Sequence, residues 1–156
     1  MIDKGCKEKM RVKVIVNSRS GRGRGREQTD IIAALGQQYG ELDIFPTEYP
    51  RHAIELAASA VDEGYDMVAA AGGDGTVHEV VNGLMRGDKA ALPLGIIPIG
   101  SGNDLAFGLG IREKAEEAVQ RIFTGTPRTI DLARMTAETG KSEVCDNNLG
   151  IGFDAI

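Results

Sequence analysis

Ala69-Ala70-Ala71-Gly72-Gly73-Asp74-Gly75-Thr76 is the stretch that decides the fold, because an apolar run ends there in three glycines and one acid. Residues 67–71 are apolar and follow a turn-like segment at 64–66, which predicts a strand buried on both faces of a parallel sheet. The glycines lack a Cβ, so we expect their backbone to adopt positive φ and to approach a ligand closely. The stretch therefore predicts a strand, a tight loop with outward amide groups and a helix start.

The segment after this loop has the spacing of an amphipathic helix. Its apolar stripe consists of Val77, Val80, Val81, Leu84 and Met85. Thr76 is the predicted N-cap, and Glu79 stands three residues later, as in a capping box. Because a helix start carries free N–H groups and about half a positive elementary charge, the loop is a natural site for phosphate.

Asp74 permits two interpretations, because a carboxylate beside a phosphate is repulsive without compensation. A Mg²⁺ ion held partly through waters would reconcile the two negative charges. Alternatively, Asp74 accepts hydrogen bonds from backbone N–H groups and holds a sharp strand-to-helix turn together. A single glycine-rich loop leaves both interpretations open.

The composition is that of an ordinary globular chain. Its 156 residues suffice for about one domain with a proper core, and its hydrophobic (42%) and charged (26%) contents are typical of soluble proteins. A net charge of −5 and the absence of tryptophan argue against nucleic-acid partners. Cys6 and Cys145 form no CxxC pair, and no apolar run has the length of a signal peptide or membrane span, so we expect a cytoplasmic protein.

Strand and helix patterns alternate along most of the chain. The predicted strands are 11–17, 42–45, 67–71 and 92–98. The predicted helices are 24–39, 50–63 with Gly64 as its end, 76–85 and 113–124. This order predicts an α/β fold, a three-layer and mostly parallel sheet with helices on both faces. We divide the chain into a flexible tail at 1–10, an α/β domain at 11–128, and a segment at 129–156 that holds a β-hairpin and the start of a further strand.

The loop after the first strand is cationic. It combines Asn17 and Ser20 with Arg19, Arg22, Arg24 and Arg26 and three glycines. We expect it to face a phosphate, because open α/β sheets bind ligands at the carboxyl ends of their strands. A solvated basic turn and a weak contact with an anionic membrane surface are the alternatives.

Two further loops are expected at the same edge. Thr47 follows the second strand and either faces the ligand or closes a turn. The loop at 99–106 contains Gly100, Ser101, Gly102, Asn103 and Asp104. Its polar residues either face the ligand or serve a short helix, with Ser101 or Asn103 as the cap and Asp104 at the positive end of the dipole.

Four motifs together resemble the diacylglycerol kinase catalytic domain, a family that includes bacterial lipid kinases. They are Asn17-Ser18-Arg19-Ser20-Gly21, Thr47 with His52-Ala53, residues 72–84 and residues 97–106. The diglycine-aspartate loop is shared with NAD kinases and phosphofructokinases, but residues 78–83 and 102–106 look like the lipid-kinase versions. His78 and Ser101 replace the commoner asparagine and threonine.

The resemblance implies that the domain at 11–128 binds ATP along the sheet edge. The residues expected to contact it are Asn17, Ser20, Thr47, Gly72, Gly73, Gly75, Thr76, Gly100, Ser101, Gly102, Asn103 and Asp104. Asp74 is the expected catalytic residue and would organise Mg²⁺ through water. The implied reaction transfers the γ-phosphoryl group to a lipid hydroxyl such as that of diacylglycerol, helped by positioning and charge neutralisation, and no residue is assigned as general base.

Members of the family carry a second, β-rich domain, and residues 150–155 resemble its opening strand. We therefore expect this chain to be the nucleotide-binding half of a lipid kinase, inactive or nearly so alone. The alternatives are an NAD kinase and a non-catalytic nucleotide-binding module. A lipid substrate implies a peripheral position at a membrane surface, and an exposed interdomain surface suggests a homodimer.

Overall fold

The computed structural model describes residues 9–17, 25–86, 92–112 and 114–147, with the backbone alone at 25 and 26. Strands and helices alternate through most of this part of the chain. The strands are β1 (Arg11–Val16), β2 (Glu41–Pro46), β3 (Met67–Gly72), β4 (Leu94–Pro98), β5 (Ala133–Thr136) and β6 (Ser142–Cys145). The helices are α1 (Gly25–Tyr39), α2 (His52–Ser59), α3 (Asp74–Leu84), α4 (Asp104–Gly108) and α5 (Ala115–Thr124).

Four of these strands form a parallel sheet in the order β2-β1-β3-β4. Their carboxyl ends lie level, since Val16 pairs with both Pro46 and Ala71, and Gly72 pairs with Pro98. The chain moves outward in one direction from β1 to β2 and in the other from β3 to β4. The switch point of the topology therefore lies between the carboxyl ends of β1 and β3, where open α/β sheets bind their ligands.

Two apolar cores cover the two faces of the sheet. Successive side chains of a strand point to opposite faces, so Ile15 and Ala70 face one core while Val14 and Ala71 face the other. The first core is closed by α2 and α3, and the second by α1 and α5. The predicted three-layer α/β fold with helices on both faces is confirmed.

Helix α2 is shorter than predicted. Its regular part ends at Ser59, and the chain continues through turns to Gly64, which has a φ of +77°. There the N–H of Tyr65 donates to Ala60 O and the N–H of Gly64 donates to Val61 O, the two bonds of a Schellman motif. Gly64 is therefore the end of this segment, as predicted, although residues 60–63 are turns rather than α-helix.

A charged side chain lies inside the sheet layer. Lys13 on β1 is fully buried, and its Nζ donates to Glu63 Oε2 at 2.6 Å and to Ser59 Oγ at 3.0 Å. The hydrogen bond from Lys13 is the main reason why the pKa of Glu63 lies below its ordinary value. Beside it, burial and the hydrogen bond to Asp43 raise the pKa of Tyr65 to about 12. These polar contacts fasten the turn after α2 to the sheet.

Strands β5 and β6 form the predicted antiparallel hairpin. The hairpin packs on α3, where the side-chain amide of Asn82 donates to Val144 O at 2.9 Å and accepts from Val144 N at 2.8 Å. Asn82 thus pairs with β6 as a neighbouring strand would. The predicted continuation beyond 147 lies outside the described residues. None of the helices described is both long and apolar enough to cross a membrane.

Candidate functional site

The loops singled out in the sequence converge at one edge of the sheet. Asn17, Thr47, Gly73 and Ile99 each follow directly on the last residue of a parallel strand. The N–H of Asn17 donates to Ala71 O at 3.0 Å, and the N–H of Thr47 donates to Val16 O at 2.8 Å, so the ladder holds both starting points in place. Ser20 and the arginine loop lie outside the described residues.

The amino end of α3 presents unused hydrogen-bond donors. Within the part of the chain that the structure describes, the backbone N–H groups of Gly73, Asp74 and Gly75 have no acceptor. Gly75 is exposed, and the helix behind it is 11 residues long. Donors of this kind, together with the positive end of the helix dipole, favour the binding of a phosphate group.

Asp74 holds two loops together. Its Oδ2 accepts a hydrogen bond from the backbone N–H of Asn103 at 2.8 Å, and its Oδ1 accepts one from the N–H of Leu105 at 3.2 Å. These contacts join the loop after β3 to the start of α4. The interpretation of Asp74 as a residue that holds backbone together is therefore confirmed, with the partners on the neighbouring loop rather than on its own turn.

Asn103 completes the connection. It adopts a left-handed backbone with a φ of +62°, which asparagine tolerates better than most residues. Its side chain accepts from Gly100 N and donates to Gly100 O, both at 3.1 Å. Neither Asn103 nor Ser101 caps α4 with its side chain, so this alternative is wrong, because the Asn103 amide bonds back to Gly100 and Ser101 lies before the N-cap position.

The glycines act by close approach rather than by positive φ. Gly72, Gly73 and Gly75 all lie outside the left-handed region, so the expectation of positive φ is wrong for them. The backbones of Gly73 and Gly100 pass so close together that a Cβ on Gly100 would lie 2.7 Å from Gly73 N. A Cβ on Gly75, by contrast, would meet nothing within 4 Å. The close packing of the two loops therefore explains why residue 100 is a glycine. Gly75, at the start of α3, is surrounded by open space.

The predicted capping box at Thr76 is wrong. Helix α3 begins two residues earlier, at Asp74, with Gly73 at the N-cap and no capping side chain. Thr76 is buried in the first turn against Gly72, and the carboxylate of Glu79 accepts a hydrogen bond from the backbone N–H of Arg51 at 3.2 Å. The N–H groups of Thr76 and Val77 both donate to Gly73 O, which makes Gly73 the start of the first turn.

The residues at this edge fit a Mg²⁺ ion held with a nucleotide. A Cβ on Gly102 would lie 2.9 Å from Asp74 Oδ2 and 3.8 Å from Asp104 Oδ1, so two carboxylates border the same small space. No group of three or more His, Cys, Asp or Glu side chains that could hold a metal occurs within the described ranges. Mg²⁺ commonly binds through one or two carboxylates together with phosphates and waters, and this donor set agrees with that pattern.

Comparison with known proteins agrees with this geometry. The family model described as "Diacylglycerol kinase catalytic domain" matches residues 11–135, which include all the loops at the sheet edge. The chain belongs to the diacylglycerol kinase catalytic domain family. The resemblance stated from the four sequence motifs is thereby confirmed.

Curated members of this family are similar to this chain over most of its length. It is 35% identical over 130 residues to a diacylglycerol kinase of Bacillus subtilis, covering 82% of this chain and 43% of the relative. It is also 35% identical over 138 residues to a probable lipid kinase YegS-like protein of Stenotrophomonas maltophilia, covering 86% of this chain and 44% of the relative. The chain thus spans less than half the length of these diacylglycerol kinase and lipid kinase relatives.

Solved structures of the same family share the fold. A putative diacylglycerol kinase from Bacillus anthracis superposes with a TM-score of 0.72 at 28% sequence identity. The match covers 81% of this chain and 45% of that structure. The α/β sheet with its two helical layers is therefore the fold of the corresponding part of the diacylglycerol kinase family.

One polar cluster was missed in the sequence. His78 Nδ1 lies 2.7 Å from Asp146 Oδ1, and His78 Nε2 lies 3.5 Å from Glu143 Oε1. The Asp146 side chain is only 5% exposed, so this carboxylate is buried with the histidine as its partner. The cluster joins α3 to the end of the hairpin. Its only sequence signal was the polar pair His78 and Asn82 at helical spacing.

Proposed function

We propose that this chain is the nucleotide-binding part of an ATP-dependent lipid kinase. The observation that carries the proposal is the set of N–H groups at Gly73, Asp74 and Gly75 that have no acceptor among the described residues, directly beside the Asp74–Asn103 connection. Phosphate oxygens are suitable acceptors for such donors. Membership of the diacylglycerol kinase family supports ATP as the source of the phosphate.

The positions of the loops suggest how the nucleotide lies. Gly73 and Gly75 would face its phosphates, together with Ser101 and Gly102 on the neighbouring exposed loop, while Gly100 would let the two loops pack closely. Asn17 and Thr47 continue the same edge toward β2 and would contact the rest of the nucleotide, with Ser20 in the loop that follows Asn17. Gly72 and the buried Thr76 would support the loop from behind.

The reaction would be in-line transfer of the γ-phosphoryl group. The oxygen of a lipid hydroxyl, such as that of diacylglycerol, would form a bond to the γ-phosphorus as the bond from that phosphorus to the bridging oxygen breaks, releasing ADP and the hydroxyl proton. Asp74 and Asp104 would hold Mg²⁺, which neutralises phosphate charge when bound. The backbone donors of α3 would orient the phosphates, and no residue of this chain is assigned as the base.

We propose that the chain alone has little or no lipid kinase activity. It spans 43% of the Bacillus subtilis relative, so its activity in isolation is not implied by that protein's name. Incubation of the purified chain with ATP, Mg²⁺ and diacylglycerol in detergent micelles tests this point. Robust formation of phosphatidic acid would refute it, and phosphorylation of NAD instead would favour the NAD kinase alternative.

Calorimetric titration of ATP with Mg²⁺ tests the nucleotide site directly. We expect saturable binding to the parent chain and at least tenfold weaker binding to Asp74→Ala. Glu138→Ala is the matched control, because Glu138 is an exposed acid in the hairpin turn. Absence of binding to a folded parent chain, or equal binding by Asp74→Ala, would contradict the proposed role of this edge.

A further inference from the structure

A second charged site lies in a cavity of about 210 Å³ between α2, α3 and the β5–β6 hairpin. Three arginines line it, Arg51 before α2, Arg86 after α3 and Arg134 on β5. Among the described residues that line it, Glu143 on β6 is the one carboxylate. Three separate segments of the chain therefore bring arginines to one space.

The charges of this cavity are not balanced within the described part of the chain. Arg51 Nη1 lies 3.5 Å from Glu143 Oε1, a loose ion pair. The side chains of Arg86 and Arg134 have no hydrogen-bond or ion-pair partner among the described residues. The whole chain carries a net charge of −5, so this excess of positive charge is local rather than general. An anion that entered the cavity would relieve the repulsion among the arginines.

The Arg86 end of the cavity lies apart from the nucleotide edge, whereas Arg51 belongs to the same β2–α2 loop as Thr47. Asp74 begins α3 at the sheet edge, whereas Arg86 follows its other end. Because an α-helix rises about 1.5 Å per residue, the two ends of this 11-residue helix lie about 15 Å apart. A ligand bound by Arg86 and Arg134 would therefore not contact the phosphates held at Gly73 and Gly75.

We propose that this cavity binds a phosphate group. A planar guanidinium offers paired donors that match two phosphate oxygens. Three arginines therefore suit an anionic phosphate better than an apolar or a cationic ligand. The phosphate belongs either to the headgroup of an anionic lipid or to a soluble phosphate compound. Both share the chemistry that the arginines recognise, and the source is decided by the second half of the test.

The first half of the test measures inorganic phosphate binding by two-dimensional NMR on the full chain. We expect saturable shifts of the Arg134 side-chain N–H and the Val144 amide, separate from shifts at Gly75. Arg86→Gln with Arg134→Gln should weaken this binding at least tenfold. The control, Arg112→Gln with Lys141→Gln, removes two exposed charges outside the cavity and should change the affinity less than twofold.

Glu143→Gln should have the opposite effect on the affinity for phosphate. It removes the carboxylate that competes for Arg51, so phosphate should bind several-fold more tightly. Equal affinities for both double variants, or no saturable shift at Arg134, would overturn the proposal. Thermal melts of all variants establish that they are folded, as expected because Arg86, Arg134, Arg112 and Lys141 are exposed.

Vesicle flotation then identifies the source of the phosphate. Vesicles of phosphatidylcholine with 20% phosphatidic acid are compared with phosphatidylcholine alone and with soluble glycerol phosphate. Retention on the acidic vesicles that is lost in the Arg86/Arg134 double variant supports a lipid headgroup. Saturable binding of glycerol phosphate without vesicle retention supports a soluble ligand. If the double variant kept both vesicle retention and glycerol phosphate binding, the proposed site would be wrong.

Discussion

The carboxylate of Asp74 and the backbone N–H of Asn103 are joined by a 2.8 Å hydrogen bond that connects the loops after β3 and β4. The two residues are 29 positions apart in the chain. Their contact fixes the acid to the neighbouring loop, while the N–H groups of residues 73–75 have no acceptor among the described residues. The candidate site is therefore a pair of loops joined to each other by hydrogen bonds.

The two glycines of this pair should respond differently to alanine. Gly100→Ala would force the two loops apart, because its Cβ would lie 2.7 Å from Gly73 N, and we expect a loss of more than about 2 kcal/mol of unfolding free energy. Gly75→Ala meets no atom within 4 Å and should keep or raise the unfolding free energy, by up to about 1 kcal/mol, because alanine favours a helix more than glycine does. Urea denaturation measures both values.

The ATP affinity of Gly75→Ala is a separate prediction from its stability. Gly75→Ala should weaken ATP binding at least tenfold, about 1.4 kcal/mol, because its methyl group occupies the space in front of α3. Calorimetry on the folded variant measures the affinity. Unchanged ATP affinity in Gly75→Ala would argue against phosphate at this loop, whatever the stability of Gly100→Ala.

Asn103 combines a strained backbone with two side-chain hydrogen bonds. Asn103→Ala removes the bonds to Gly100 and places alanine at a φ of +62°, so we expect a loss of about 2 kcal/mol. Asn103→Gly removes the same bonds but accepts this φ, and it should be less destabilised by about 1 kcal/mol. Equal unfolding midpoints in urea for the two variants would show that the backbone conformation carries no strain.

Asn82 should control the attachment of the hairpin to α3. Asn82→Asp keeps an acceptor for Val144 N but loses the donor to Val144 O, and it leaves two oxygens facing each other. We expect hydrogen exchange at the Val144 amide to accelerate at least tenfold, since the strand around the buried Val144 would detach from the helix. Thr136→Val, on the exposed side of the hairpin, is the control and should leave that rate unchanged.

The Lys13–Glu63 pair should give the chain part of its acid sensitivity. Because Lys13 holds the pKa of Glu63 below its ordinary value of 4.5, the carboxylate contributes stability above that pH, and this contribution is lost as the pH falls through the lower folded value. Glu63→Gln should cost about 1 to 2 kcal/mol at pH 7 and show a flatter decline of stability in acid.

Urea denaturation between pH 3 and pH 7 measures this effect. Glu138→Gln removes an exposed carboxylate in the hairpin turn and should keep the parent's slope. If Glu63→Gln declined as steeply as the parent, the acid sensitivity would have to come from other carboxylates.

Much of the fold was predictable from local patterns. The alternating strands and helices follow from residue spacing, and parallel strands place their carboxyl ends at one edge by geometry alone. The convergence of Asn17, Thr47, Gly73 and Gly100 was therefore accessible without coordinates. The predicted capping box at Thr76 was wrong because the Thr76 side chain packs against Gly72 instead of capping the helix. Local sequence spacing does not reveal this packing.

The sequence by itself determined the layers of the sheet, the edge that carries the site and the family, because each depends on periodicity or on contiguous motifs. Only the tertiary structure decided that Asp74 binds the backbone at Asn103, that Asn82 pairs with Val144 and that three arginines share one cavity. The physical reason is that these contacts join segments 29 to 83 residues apart, the widest separation being that of Arg51 and Arg134, and their energies depend on distances that arise only when the layers have packed.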